Sequence, residues 1–150
     1  MIFLERVMTN QIIETEYDRW LEQQINNLQN SDWGKLDVNK LIGELEALER
    51  AEKATVKSLI YQILLHSLLV DFWEEESKYS KNHWLAEIDA FQLQLEDRLT
   101  TNLIKLAQDN LPRLYEKARR NAIRKSRLPL DRFPAKCPYP LENIIGDRPE

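Results

Sequence analysis

Between Gly43 and Gly146 the chain has no glycine, and its 150 residues hold only 3. Strand-rich folds reverse direction often, and tight turns draw on glycine for positive φ. A chain so poor in it predicts helices. The length suits one domain and is enough to bury a core. With 43% hydrophobic and 31% charged residues, the composition is that of a globular chain, not a disordered one. A net charge of -4 supplies no whole-protein attraction to nucleic acid or to an anionic membrane. Cys137 is alone, which excludes an internal disulfide and fits a reducing, cytoplasmic setting. The apolar start Met1-Ile-Phe-Leu is too short for a signal peptide. The longest apolar run, Ile63 to Val70, is broken by His66 and Ser67 and cannot span a bilayer. Met8 offers an alternative start. On that reading residues 1–7 are an extension without a structural role, poorly ordered.

Hydrophobic spacing predicts four helices. The first runs from Thr15 to Asn30, with Tyr17, Trp20, Leu21, Ile25 and Leu28 on one buried face. Gly34 lies in the loop that follows, and Asp37 is a suitable N-cap. The second runs from Val38 to Glu76, with Leu41, Leu45, Leu48, Val56, Leu59, Ile63 and Val70 as its stripe. From Leu59 to Trp73 apolar residues surround the whole circumference, which predicts burial on all sides and a central position. The third begins near Asn82 and runs to Gln108, burying Trp84, Ile88, Phe91, Leu95, Leu99 and Leu106. The fourth starts near Asn110, with Pro112 in its first turn. It ends near Ser126 and faces inward through Leu111, Leu114, Tyr115, Ala118 and Ala122. Four prolines between Leu128 and Pro140 forbid a regular helix there. The expected architecture is all-α: a single four-helix, mostly antiparallel bundle spanning residues 15–150. A Pro-rich, non-helical C-terminal tail packs on it through Phe133 and Tyr139, and Leu141 to Ile145 can add a last turn.

Several segments together carry a resemblance. They are Tyr17-Asp-Arg-Trp20, Leu41-Ile-Gly-Glu-Leu-Glu46 with Glu52, and Leu65-His-Ser-Leu-Leu69. With them stand Asn82-His-Trp84, Glu87-Ile88 and Phe133-Pro-Ala-Lys-Cys-Pro-Tyr139. The chain resembles the domain-of-unknown-function family DUF29 over most of its length. The resemblance implies an all-α bundle of bacterial, largely cyanobacterial, distribution, and it brings no activity. The sequence departs from the family pattern at Gly43, where a second acidic residue is more usual beside Glu44.

Two groups of residues are candidates for chemistry. At about 100° per residue, Leu45, Glu49, Glu52, Val56 and Ile63 share a side of the second helix, with His66 at its edge and Glu44 and Glu46 flanking it. Such carboxylates near an imidazole form either an acid–base or metal site, with Glu46, Glu49 and His66 its members, or a buried polar network. In the network reading Glu44, Glu46, Glu49, Glu52 and His66 are joined by Arg98. No Glu-x-x-His pair and no His-Glu-x-x-His signature occurs, so di-iron and zinc-protease patterns are missing. No cofactor is implied.

The second group is basic. Arg113, Lys117, Arg120, Arg124 and Arg127 stand at steps of 4, 3, 4 and 3, on one face of the fourth helix. This stripe can follow a phosphate backbone, or it is a solvated face balanced by Asp71, Glu74, Glu75 and Glu76. No recognised nucleic-acid-binding motif accompanies it. The aromatics Trp20, Trp33, Phe72, Trp73, Trp84 and Phe91 read as core before they read as a pocket. Lys136 beside Cys137 favours a lowered thiol pKa, and only His83 through the fold offers it a base. Taken together, the residues predict a small non-catalytic helical interaction module whose partner is a second copy, in a homo-oligomer, or another protein. The alternatives are a polyanion-binding accessory protein, and a hydrolase or metal-binding protein.

Overall fold

The structure is a computed structural model that describes residues 2–146, with side chains from residue 15 onward. Five α-helices follow one another: α1 (Ile2–Gln29), α2 (Val38–Phe72), α3 (Glu74–Glu96), α4 (Thr101–Ser126) and α5 (Leu141–Ile145). Short 3-10 turns occupy Trp33–Lys35 and Leu130–Arg132. There is no strand among the described residues. The chain is all-α, but with five helices instead of four, and its C-terminal stretch is not wholly non-helical.

The helix boundaries depart from the spacing in three places. α1 begins at Ile2, not Thr15, because no Gly or Pro interrupts the segment before it. The expected idleness of residues 1–7 concerns side chains outside the described residues. α2 ends at Phe72 instead of Glu76, and α3 starts at once with Glu74 instead of Asn82. Glu74, Glu75 and Glu76 fill the first turn of α3, where the helix dipole favours negative charge. The Ser77 hydroxyl donates to the Val70 carbonyl at 3.1 Å, pairing a group that the end of α2 leaves free.

The third departure is at Thr100. Its hydroxyl accepts from the Leu103 N–H at 3.3 Å, so α4 starts at Thr101 and not near Asn110. Pro112 then sits inside α4 instead of in its first turn. It removes the hydrogen bond to the Gln108 carbonyl. Both residues are exposed, so water can take that partner's place.

By backbone contacts the chain separates into two compact units, Met1–Ala47 and Leu48–Glu150. The first contains α1 and the start of α2. Tyr17 donates to Glu44 at 2.9 Å, the Lys40 ammonium lies 4.3 Å from the Trp20 ring centre, and the Gln24 side chain accepts from the Asp37 N–H at 2.9 Å. As the α1 number rises the α2 number falls, so the two run antiparallel. The seam is polar and aromatic. Among the described residues of this unit Gln24 is buried and no apolar side chain is. Tyr17, Ile25 and Leu28, expected on a buried face, are 41%, 46% and 47% exposed.

The second unit holds the core. α2 contributes Val56, Leu59, Ile60, Ile63, Leu64, Leu65, Leu68, Leu69 and Val70 to it. Between Leu59 and Val70 only Tyr61, Gln62 and His66 are not fully buried. α3 adds Trp84, Ile88 and Leu95. α4 adds Leu114 and Tyr115 and sets Ala107, Ala118 and Ala122 at the contact, small residues that let it approach closely. Phe133 and Ile144 complete the cluster. The Phe133 ring lies edge-on to Phe72 at 6.2 Å, and Tyr139 donates to Asp71 at 2.7 Å. The Gln92 amide donates to the carbonyls of Asn143, Ile144 and Gly146, which holds α5 in place.

Leu64 is fully buried, so Leu64→Ala is expected to cost about 2–5 kcal/mol in chemical denaturation. Gly43 has open space where a Cβ would stand and no positive φ. Gly43→Ala is therefore expected to stabilise by roughly 0.5–1 kcal/mol, read as a raised thermal midpoint.

Candidate functional site

Glu49, Glu52 and His66 have separate partners. Glu46 and Glu49 are exposed. Glu49 is held by Lys53 one turn on, at 2.6 Å, and that contact lowers its pKa. Glu44 is half-buried and accepts from Tyr17, which raises the Tyr17 pKa. Glu52 pairs with Arg98 at 3.0 Å, half-exposed, a contact worth at most about 1 kcal/mol. His66 is only half-buried. Its Nδ1 lies 2.7 Å from the Gln62 carbonyl, and its ring rests against Phe91 at 5.5 Å.

Of the network expected of Glu44, Glu46, Glu49, Glu52, His66 and Arg98, the structure contains the Glu52–Arg98 pair; Glu49 pairs with Lys53, Glu44 accepts from Tyr17, His66 faces the Gln62 carbonyl, and Glu46 is exposed. Periodicity assigns each residue an angular side of the helix. It does not say how far along the axis the covering helices reach, and burial on α2 begins only at Val56. Among the described residues no group of three or more His, Cys, Asp and Glu is placed to hold a metal.

The basic stripe has a different setting. Arg113, Lys117, Arg120, Arg124 and Arg127 are all exposed along α4. Lys117, Arg120 and Arg124 form one wall of a groove of about 490 Å³. Lys57 and Ser58 of α2 form the facing wall. Its floor is Leu114 with Tyr61 and Asn121, and the Asn121 amide donates to the Tyr61 hydroxyl. None of the lining residues is acidic. The nearest named acid, Glu116, lies 3.4 Å from Arg120 in an exposed pair. Arg113 and Arg127 are not among the lining residues.

Lys57, Ser58, Tyr61 and Asn121 escape a reading by sequence. They join the stripe only because α2 and α4 pack side by side, across 60 residues of chain between Tyr61 and Asn121. A second depression of about 550 Å³ lies at the α3–α4 turn, but its Arg98 is already paired with Glu52.

Two other basic residues of this region are engaged. Arg119 donates to the carbonyls of Leu130 at 2.7 Å and Phe133 at 3.2 Å, and Arg132 pairs with Glu75 at 3.4 Å. Cys137 is half-buried, and its thiol donates to the Tyr139 carbonyl. Burial pushes its pKa up, opposite to the shift expected from Lys136. His83 is exposed on α3.

A family model described as domain of unknown function DUF29 matches residues 12–148. The chain belongs to that family. Neither a curated protein nor a solved structure matches it. No described helix is long and apolar enough to cross a membrane.

Tyr115 supplies a pH handle on this part of the fold. It is 2% exposed, donates to the Pro134 carbonyl at 2.5 Å, and burial raises its pKa to about 12. Unfolded, it would titrate near 10. Its contribution to stability is thus complete below pH 10 and is lost as pH rises from 10 to 12. Tyr115→Phe is expected to flatten that alkaline loss in denaturation curves. At neutral pH it is expected to cost about 1–3 kcal/mol, because the Pro134 carbonyl loses its partner.

Proposed function

We propose that the protein is a non-catalytic helical interaction module that associates with a second copy of itself through its first unit. The observation that carries this reading is the apolar row Val38, Ile42 and Leu45 on α2, 52%, 49% and 64% exposed. These residues stand at steps of 4 and 3, hence on one side of the helix. Asp37, Lys40 and Glu44, which touch α1, lie on another side. Pairing with α1 therefore leaves the row uncovered, and α1 carries its own exposed Ile25 and Leu28.

Two helices alone cannot enclose a core, and a helix that keeps an apolar side in a stable protein buries it against another element. A second hairpin of the same kind, related by a two-fold axis, meets that need with a closed, self-complementary contact. Residues 15–47 hold seven acidic and three basic side chains. Like-charged hairpins brought together by apolar rows associate more tightly as salt screens their repulsion.

Light scattering is expected to give twice the monomer mass, with the dimer fraction rising between low and moderate salt. Ile42→Glu with Leu45→Glu is expected to leave a folded monomer, since neither side chain is in the core. A wild-type monomer at all protein and salt concentrations would refute the reading.

A further inference from the structure

We infer that the groove between α2 and α4 is a binding site for a compact polyphosphate, one of nucleoside-triphosphate size. The inference stands apart from self-association, since every residue it uses belongs to the second unit. Four cationic side chains, Lys57, Lys117, Arg120 and Arg124, border a space of about 490 Å³, and no acid lines it. Arg120 also pairs with Glu116 outside the lining, and the four cations together still leave a net positive local potential that a polyanion lowers. The volume falls in the range of small-molecule sites, about 300–1,000 Å³.

The polar floor suits phosphate oxygens, which only accept hydrogen bonds. The Tyr61 hydroxyl accepts from Asn121, which leaves its own hydrogen to donate. Ser58 offers a second hydroxyl on the facing wall. Arg120 and Arg124 can each give paired N–H groups to a phosphate, whereas Lys57 and Lys117 act as point charges. Leu114 and the Tyr61 ring add an apolar patch on which a base or other flat group can rest.

Length separates this ligand from a nucleic-acid backbone. From Lys117 to Arg124 the groove covers about 10 Å of helix, and the stripe runs on at both ends, to Arg113 and to Arg127, which lies just past the end of α4 in a left-handed conformation. A polymer following the stripe needs Arg113 and Arg127. A compact ligand seated in the groove does not, because neither residue lines it.

The test is calorimetric titration of the full chain with tripolyphosphate, with ATP, and with a duplex DNA, repeated at several salt concentrations. Saturable binding of one tripolyphosphate per chain is expected. Lys57→Ala with Arg124→Ala is expected to weaken it at least tenfold, and Arg113→Ala with Arg127→Ala less than twofold. ATP binding tighter than tripolyphosphate identifies the nucleotide as the source, through Leu114 and Tyr61; equal affinity identifies the bare phosphate chain.

Three results would overturn the inference: no saturable tripolyphosphate binding, equal losses in the two double variants, or duplex DNA that binds while tripolyphosphate fails to compete. Far-UV circular dichroism checks that each variant folds. Should one not fold, competition on the wild type decides instead. Sulfate at equal ionic strength must fail to displace tripolyphosphate, and displacement would count against a built site.

Discussion

Burial of α2 from Val56 to Val70 is the constraint on which the rest of the second unit depends. Nine apolar side chains from this stretch enter one cluster, and they point to nearly every side of the helix. A helix in that condition needs neighbours all round it. α3 and α4 contribute to the same cluster, the Phe133 ring packs edge-on to Phe72, and Ile144 of α5 joins the cluster. Full burial of one such side chain is worth roughly 1.5–3 kcal/mol against leaving it in water. No surface ion pair in the molecule approaches the sum of these contributions.

That constraint also explains why the polar features sit where they do. A helix covered on all sides offers no room for unpaired charge, and the half-buried His66 satisfies its ring nitrogen on its own backbone at Gln62. Charged groups are displaced to the uncovered turns before Val56 and to the outer side of α4. Tyr61 is an exception within the buried stretch, half-exposed where α2 meets α4. Its position there makes the groove possible: an aromatic body continuous with the core and a hydroxyl at the surface, bonded to Asn121. The C-terminal stretch is tied down by side chains donating to backbone carbonyls, from Tyr115, Arg119 and Gln92. Prolines cannot form such bonds among themselves, because they lack the N–H.

The first unit obeys a different rule. Its two helices meet through Gln24, Lys40, Trp20, Tyr17 and Glu44, groups that gain little by leaving water. Ile25 and Leu28 of α1 and Val38, Ile42 and Leu45 of α2 are left at the surface, while Trp20, Leu21 and Leu41 are half-buried. The spacing of Tyr17, Trp20, Leu21, Ile25 and Leu28 predicted a buried side; α2 covers it only in part, burying Gln24 while Tyr17, Ile25 and Leu28 stay 41%, 46% and 47% exposed. Periodicity reports that a helix has an apolar face. It carries no information on whether the cover comes from the same chain.

Helical content, the burial of α2 from Leu59 to Val70 and the inward face of Leu114, Tyr115, Ala118 and Ala122 were legible in the residues, but the expected continuation of that burial to Trp73 stops at the exposed Asp71. Each follows from local propensity and from 3.6-residue spacing, which are properties of neighbouring positions. Arg113, Lys117, Arg120 and Arg124 keep their spacing on α4, whereas Arg127 lies past the helix end in a left-handed conformation. Helix ends were less legible. The break at Trp73 and the start at Thr101 rest on single hydrogen bonds, Ser77 to Val70 and Leu103 to Thr100, whose geometry the spacing does not encode. The partners of Glu49, Glu52 and His66, and the meeting of Lys57 with Lys117 across a groove, were decided only by tertiary structure. They depend on how far one helix extends along another, a distance set by packing of the whole core and not by any local run of residues.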